Sequence, residues 1–293
     1  MLLSVALDDY PNTIPLKRGQ IQQPSDLKFT FSDIRPANRF FKLMVREQRF
    51  DVSEMAIATY VQAKSYGKPL VLLPITVMGR FQHGTILCRS SNPVTPERLA
   101  GKRVGVRSYS QTTAMWVRGI LQNDYGVDPK RVQWITLEDA HVAEYHDPPE
   151  VERASNNKNL LAMLRDGDID AAIYGAELPG DATLIPVVPQ PAAAAQRWYE
   201  HHNTVPINHM LVVTEKLATS APEAIREIYR LFVASKRAAG IPKPGDIDLL
   251  PCGFHACRPA LEMVIGYALQ QSLIERKIAS EDLFDDTSRT LEG

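Results

Sequence analysis

Hydrophobic and polar positions alternate along the chain with two different periods, and each period predicts one kind of element. Short apolar runs such as Leu2–Leu7 and Leu70–Val77 are bounded by polar or turn residues, which is typical of buried strands. Longer segments, among them Ala37–Gln48 and Pro222–Ala239, repeat apolar residues every three to four positions and predict amphipathic helices. Strand and helix signals alternate from the start, so the sequence indicates an α/β fold. The acidic tail after Glu281 is expected to fray.

The strands fall into two groups, which predicts two lobes. The chain passes between the groups near Gly84–Ser90 and again at a long strand, Ile207–Val213. We therefore expect lobe 1 to comprise residues 1–84 and 207–293, and lobe 2, inserted into it, to comprise residues 85–206. A ligand would bind in the cleft between the lobes, where strand ends and helix N-termini converge.

The segment Gly101–Leu121 combines a strand (Arg103–Val106), a polar turn and a helix that starts near Thr113. The first N–H groups of a helix have no internal partner and the helix dipole is positive there, so such a turn can bind an anion. No glycine-rich nucleotide motif is present, and a carboxylate therefore fits better than a polyphosphate. An ordinary capped helix is an equally good interpretation of the isolated segment. The turn offers one charge and several neutral donors: Arg107, Ser108, Ser110, Gln111, Thr112 and Thr113.

Arg80 and His83 follow a buried strand and precede the first crossing between lobes. Arginine offers a planar fork for a carboxylate, and histidine offers a proton near neutral pH. If the backbone bends at Gly79 or Gly84, both side chains can project into one cleft. On spacing alone, a solvated arginine beside a hydrogen-bonded histidine is the more common arrangement.

Two further candidates lie at strand ends that are expected to face the cleft. Glu54 ends the strand Phe50–Met55, where it could accept a hydrogen bond from a substrate hydroxyl, orient a histidine or only cap the next helix. Asn208 and His209 begin the returning strand and are predicted on its cleft side. A core histidine bonded to backbone is the alternative for His209.

The polar loop Glu138–Glu152 carries His141, Glu144 and His146, which could bind a metal. They do not match the H-E-x-x-H zinc motif, and the adjacent Pro148-Pro149 indicates a loop rather than a rigid helix. A loop of this length in a compact α/β protein is usually functional, so we interpret it as a lid or cleft wall. No G-x-S-x-G motif and no catalytic cysteine pattern is present, which argues against a hydrolase.

Composition excludes several classes of partner. Of 293 residues, 44% are apolar and 23% charged, and the formal net charge is −1, so neither nucleic acid nor a membrane surface is expected as a partner. No segment reaches the length of a membrane span and no secretory signal is recognisable, which predicts a cytoplasmic protein. Cys88, Cys252 and Cys257 are expected to be reduced thiols, with a disulfide or a metal site around His255 as the minority alternatives. No cofactor is predicted; a divalent metal and a homo-oligomer are left open.

Five segments together resemble the 4,5-dihydroxyphthalate decarboxylase family, which is similar in fold to type II periplasmic binding proteins. They are FDVSEMAIATY, GRFQHGTILCR, GKRVGVRSYSQTTAMWVRGILQNDYGV, GDIDAAIYG and VPINHMLVV. The resemblance covers most of the chain and implies a two-lobed α/β fold with a ligand cleft. It also implies loss of one carboxylate from a hydroxylated aromatic acid. The loop EDAHVAEYHDPPEVERA is read as a subgroup feature, so the substrate can differ from dihydroxyphthalate itself.

The implied reaction needs a proton at the ring carbon that loses CO₂, and donors for the anionic groups that remain. Histidine meets the first need, so the resemblance implies His83 as general acid, with His209 as second choice. Arg80 would clamp the remaining carboxylate, assisted by the turn Ser110–Thr113. Glu54 would accept a hydrogen bond from a ring hydroxyl.

The competing interpretation is a non-catalytic solute-binding protein or sensor for small aromatic carboxylates that uses the same cleft. The lack of a recognisable secretory signal counts against a transport role, which favours an enzyme on a binding-protein scaffold. A different reaction on the same scaffold also stays open, because a fold does not fix a reaction.

Overall fold

Two β-sheets organise the molecule. The structure is a computed structural model that describes residues 1–155, 158–175 and 177–292. The strands β1–β4 and β11 span Leu2–Ala6, Lys28–Phe31, Val52–Ala56, Leu70–Gly79 and Ile207–Thr214. They form the first sheet in the order β2-β1-β3-β11-β4. In this sheet β1 is parallel to β2 and β3, whereas β11 runs antiparallel to β3 and β4.

The second sheet contains the strands between the two crossings. The strands β5–β10 span Ile86–Arg89, Arg103–Val106, Gln133–Thr136, Glu152–Arg153, Ala171–Ile173 and Leu184–Pro186. Their order is β10-β5-β9-β6-β7-β8, with β6 parallel to both of its neighbours. The predicted α/β architecture is therefore confirmed. The lobe limits, residues 1–84 with 207–293 and residues 85–206, stay a prediction.

Helices cover both faces of the first sheet. The helices α1–α9 span Ile14–Lys17, Ala37–Glu47, Ile57–Ser65, Thr112–Tyr125, Leu160–Asp166, Pro191–His202, Glu215–Ser220, Pro222–Ala238 and Phe254–Gln270. Because side chains alternate along a strand, Leu211 and Val213 of β11 pack in one buried cluster with α8. Met210 and Val212 pack on the opposite face, in the cluster that contains α3 and α9. The returning strand is thus the centre of the first lobe.

Helix α9 also joins the first sheet to the helices of the second. It packs against α4, where the Trp116 and Tyr267 rings lie 5.5 Å apart at 81°. This contact depends on Gly119, since a Cβ there would lie 2.1 Å from a carbon of the Tyr267 ring. The close approach holds α4, whose first turn reaches the candidate site, against the core of the other sheet.

The C-terminal segment is packed rather than frayed. Leu283 and Leu291 are buried, and Glu292 forms an antiparallel bridge with Gly253. The expectation of a fraying tail after Glu281 was therefore wrong, because apolar residues between the acidic ones enter the core. Within the described residues, no helix has both the length and the apolar content needed to cross a membrane. The cytoplasmic location stays a prediction.

Candidate functional site

A cavity of about 270 Å³, called here the central cavity, is lined by residues from the connections of both sheets. Asp8, Ala56 and Arg107 lie at or just beyond the carboxyl ends of β1, β3 and β6, where open α/β sheets bind ligands. The space suits one substituted aromatic ring, since an engineered cavity of about 150 Å³ takes benzene. The lining comprises Asp8, Tyr10, Pro36, Ala37, Asn38, Phe41, Ala56, Thr59, Met78, Arg107, Ser108, Ser110, Gln111, Thr112, Thr113, His141, Gly175, Asn208 and His209.

Three helix N-termini converge on the central cavity. Ala37 of α2, Ala56 before α3 and Thr112 of α4 all lie in its lining. The helix dipole gives each N-terminus a partial positive charge, so together they favour an anionic ligand. Sequence reasoning identified only the N-terminus of α4. There the N-cap residue Gln111 makes no side-chain capping bond.

The hydroxyl groups of the first turn of α4 accept bonds from the protein and keep a proton to donate. Thr112 Oγ1 accepts from the backbone N of Ala58 at 3.2 Å. Thr113 Oγ1 accepts from Arg80 Nη2 at 3.3 Å and from Asn208 Nδ2 at 3.4 Å. Because a hydroxyl has one proton and two lone pairs, each O–H can still donate to a ligand in the cavity.

His209 lies in the cavity wall with a buried carboxylate behind it. Its Nδ1 is 2.6 Å from Glu54 Oε1, and Glu54 is fully buried. Beside an ionised carboxylate, Nδ1 carries the proton, which leaves Nε2 on the opposite side of the ring. The same Glu54 accepts from Tyr10 Oη at 2.8 Å and from the backbone N of Asp8 at 3.0 Å. Glu54 lies outside the cavity lining and orients His209, and its bond to a substrate hydroxyl stays a prediction.

An irregularity in β11 places two consecutive residues in the cavity. Successive residues of a regular strand face opposite sides, yet both Asn208 and His209 line the cavity. Between Ile207 and His209 strand β11 advances two positions while β4 advances one, from Gly79 to Met78. Such a bulge re-aims side chains and is common next to functional sites. The predicted cleft-side position of both residues is therefore observed.

His141 is brought into the central cavity by the loop between β7 and β8. Its Nδ1 lies 2.9 Å from Thr59 Oγ1, and the loop backbone is held by Arg46, which donates to the carbonyl oxygens of Ala140 and His141. The rings of His141 and His209 both pack edge-on to Phe41, at 5.7 and 5.1 Å. The loop thus forms a cavity wall, as predicted.

The metal alternative for this loop is not supported. Glu144 forms an ion pair with Lys68 at 2.6 Å, and His146 lies on a separate depression, so neither joins His141. In the part of the chain that the structure describes, no group of three or more histidine, cysteine or acidic side chains could hold a metal. Cys88, Cys252 and Cys257 are free thiols.

The two predicted arginines occupy different positions. Arg107 lines the cavity and forms an ion pair with Glu138 at 2.7 Å. Arg80 is outside the lining; its Nη2 donates to the Gly175 carbonyl oxygen and to Thr113 Oγ1. Arg80 therefore hydrogen-bonds two residues of the cavity wall, and its role as a carboxylate clamp stays a prediction.

The structure does not bring His83 to the central cavity. The side chain is buried beside Trp198, with ring centroids 6.3 Å apart, and lies outside the lining. Burial lowers the pKa of His83 to about 4, so the ring is neutral near pH 7. The chain does turn at Gln82–Thr85, which includes Gly84, but this turn leaves Arg80 and His83 outside the lining of the central cavity.

Sequence reasoning missed several lining residues. Asp8 and Tyr10 follow β1, so the strand-end argument that was applied to Glu54 could have found them. Asp8 accepts from the backbone N of Ala37 at 3.3 Å and pairs with Arg35 at 3.0 Å. Burial and the neighbouring Glu54 raise the pKa of Tyr10, which stays protonated. Phe41 and Thr59 lie within helices, where no signal marked them.

Comparison with known proteins supports the predicted resemblance. No family model matches the chain. The chain is 29% identical to a 4,5-dihydroxyphthalate decarboxylase of Comamonas testosteroni over 258 residues, which cover 81% of this chain and 75% of that one. It is 29% identical to a 4,5-dihydroxyphthalate decarboxylase of Pseudomonas putida over 213 residues, covering 67% and 81%. The resemblance to this family is confirmed.

Solved structures establish the fold. The alkanesulfonate-binding protein SsuA from Xanthomonas axonopodis pv. citri aligns with a TM-score of 0.59 at 12% identity, covering 97% of this chain and 98% of that one. The desulfurization enzyme DszB aligns with a TM-score of 0.58 at 13% identity, covering 98% and 97%. The chain has the two-lobed, type II periplasmic-binding-protein-like fold that the sequence predicts. Identities this low carry no further conclusion.

Proposed function

We propose that this protein is a decarboxylase that removes one carboxylate from a hydroxylated aromatic acid similar to 4,5-dihydroxyphthalate. The observation that carries the proposal is the Glu54–His209 pair in the wall of a cavity on which three helix N-termini converge. The two decarboxylases at 29% identity support the reaction class. The site thus offers a proton donor and an anion-binding wall together.

The carboxylate that is retained binds the first turn of α4. Thr112 and Thr113 donate through their hydroxyl groups, and the unpaired N–H groups of the helix add further donors. Arg107 contributes positive charge, which its ion pair with Glu138 reduces. Gln82 Nε2 donates to Asn208 Oδ1 at 2.7 Å and thereby orients the Asn208 amide, whose Nδ2 donates to Thr113 Oγ1.

His209 supplies the proton. The imidazolium donates from Nε2 to the ring carbon that carries the departing carboxylate, and the C–C bond then breaks with its electron pair returning to the ring. CO₂ leaves, and the neutral His209 regains a proton from solvent. Glu54 stabilises the charged form of the imidazole and fixes its orientation through Nδ1. His209, the second choice from sequence, therefore replaces His83 in this proposal.

The test is turnover of 4,5-dihydroxyphthalate by the purified protein in D₂O. We expect CO₂ release and 3,4-dihydroxybenzoate with one deuterium at the carbon that lost its carboxylate. His209→Gln should lower kcat by about 10²- to 10⁴-fold, the usual contribution of a general acid. His146→Gln, an exposed histidine outside the cavity, should match the unmodified protein. Full turnover by H209Q would refute the assigned donor.

The alternative is a non-catalytic binding protein for aromatic carboxylates, which the shared fold with SsuA favours. Both functions predict that the ligand raises the melting temperature, because it binds the folded state. The two functions differ in whether the ligand is converted to a product. A stabilising ligand recovered unchanged after prolonged incubation would support the binding protein, and no stabilisation by any hydroxylated phthalate would contradict both.

A further inference from the structure

His141 carries a buried nitrogen that the proposed proton transfer does not use. The residue is 6% exposed and lines the central cavity. Its Nδ1 is engaged by Thr59, whereas its Nε2 has no hydrogen-bond partner among the described residues. Buried polar atoms in native proteins are nearly always hydrogen-bonded, so an unpaired one next to a cavity calls for a partner from outside the chain.

The surroundings of His141 determine which partner fits. Burial lowers the pKa of His141 to about 3, and the positive charges of Arg107, Lys42 and Arg46 act in the same direction. The ring is therefore neutral near pH 7 and has one donor and one acceptor nitrogen. When the Thr59 hydroxyl donates to Nδ1, the proton of the imidazole resides on Nε2. A neutral N–H donor of this kind suits the oxygen of a ring hydroxyl.

The position of His141 relative to His209 agrees with such a role. Both imidazoles pack edge-on to the same Phe41 ring, so the two histidines lie close together in the wall of the central cavity. His209, backed by Glu54, is built to carry a proton to the substrate. His141, backed by the neutral Thr59, is built to hold a hydrogen bond without changing its charge.

We propose that His141 is a specificity-determining residue: its Nε2–H donates to a ring-hydroxyl oxygen and thereby selects hydroxylated aromatic carboxylates over unhydroxylated ones. Thr59 is the positioning residue that fixes the proton on Nε2. This inference rests on the proposed function for the substrate class. A site built to bond a hydroxyl discriminates against the analogue that lacks it, because the buried donor is then left unpaired.

The experiment compares the affinities of phthalate and 4,5-dihydroxyphthalate by calorimetry, in the H209Q background so that turnover is slow during the titration. With His141 present, we expect the dihydroxy compound to bind about 10- to 100-fold more tightly. His141→Phe should reduce that ratio to about 1 while leaving phthalate affinity within about threefold. His146→Phe, from the same loop but outside the cavity, is the control and should keep the full ratio.

Two further variants make the test independent of one substitution. Thr59→Val keeps the side-chain shape and removes the hydroxyl, and it should lower the ratio to an intermediate value. His141→Gln restores an N–H donor and should recover part of the ratio. An unchanged ratio in both H141F and T59V would overturn the inference, and so would equal affinity for the two ligands with His141 present. If either result is found and the unmodified protein still releases CO₂, the role of His141 is refuted while the proposed decarboxylase function survives. If neither ligand binds, both the role of His141 and the decarboxylase function are refuted.

Discussion

Replacing Glu54 by glutamine tests the centre of the proposed site, because this carboxylate is fully buried and accepts three hydrogen bonds. One oxygen accepts from His209 and Tyr10, and the other accepts from the backbone N of Asp8. Glu54→Gln keeps the shape but replaces one acceptor oxygen by an NH₂ group. Whichever way the amide turns, that group faces a donor. The better orientation keeps the oxygen toward His209 and sets the NH₂ against the Asp8 N–H.

Two energies follow from this geometry. An unsatisfied buried donor costs about 1–3 kcal/mol, which should lower the melting temperature by several degrees. Loss of the carboxylate charge removes about 4 kcal/mol of attraction to the His209 imidazolium, taking charges 4 Å apart at an effective dielectric constant of 20. Since about 1.4 kcal/mol is a factor of ten, and the proton donor must be charged, kcat should fall by about 10³-fold.

The assay is CO₂ release from saturating 4,5-dihydroxyphthalate in a single turnover, with the melting temperature measured on the same preparations. Glu97→Gln alters an exposed carboxylate and should change neither quantity. A folded E54Q protein that keeps more than a tenth of the unmodified rate would show that the buried carboxylate does not support the proton donor.

The other predictions concern ligand affinity, acid stability and packing. Thr113→Val removes a hydroxyl donor to the ligand carboxylate and should weaken binding by about 10- to 100-fold in calorimetry; unchanged affinity would exclude this contact. His83 and His141 are neutral in the fold (pKa about 4 and about 3) but bind protons near pH 6.5 when unfolded, so stability falls as the pH drops below 6.5. Each contributes about 2 kcal/mol to the loss of stability between pH 7 and pH 5. Urea unfolding of His83→Gln and of His141→Gln should show that loss reduced by this amount, and a loss as large as that of the unmodified protein would contradict the assignment. Gly119→Ala places a Cβ 2.1 Å from the facing ring and should destabilise the protein by about 1–3 kcal/mol, whereas Gly266→Ala has nothing within 4 Å and should stabilise it by about 0.5–1 kcal/mol.

The alternation of short apolar runs and amphipathic segments was sufficient to predict most strands and helices, since each pattern follows from which side chains of an element are buried. The strand Arg103–Val106 has the predicted limits, and the helices predicted to begin at Ala37 and Pro222 do begin there. Helix α9 begins at Phe254 and contains Pro259, although proline is disfavoured in a helix interior. Just before this start, Cys252 bridges Ile75 of β4 and Gly253 bridges Glu292, and no local pattern reveals either contact.

The site was harder to predict than the fold, because it depends on which strand ends meet. Glu54 and His209 are adjacent only through the antiparallel pairing of β11 with β3. His83 had the favourable local sequence, yet the turn after β4 directs it toward Trp198. His141 was expected in a cavity wall from loop length alone, but its unpaired nitrogen depends on contacts with Thr59 and Phe41.

The bulge at Asn208 makes the site sensitive to insertions and deletions in this strand as well as to substitutions. From Ile207 to Leu211 strand β11 advances four positions while β4 advances six, so the pairing is irregular throughout the segment that carries Asn208 and His209. An insertion or deletion in either strand of this segment would change which side chains of β11 reach the cavity, even where Asn208 and His209 are both retained.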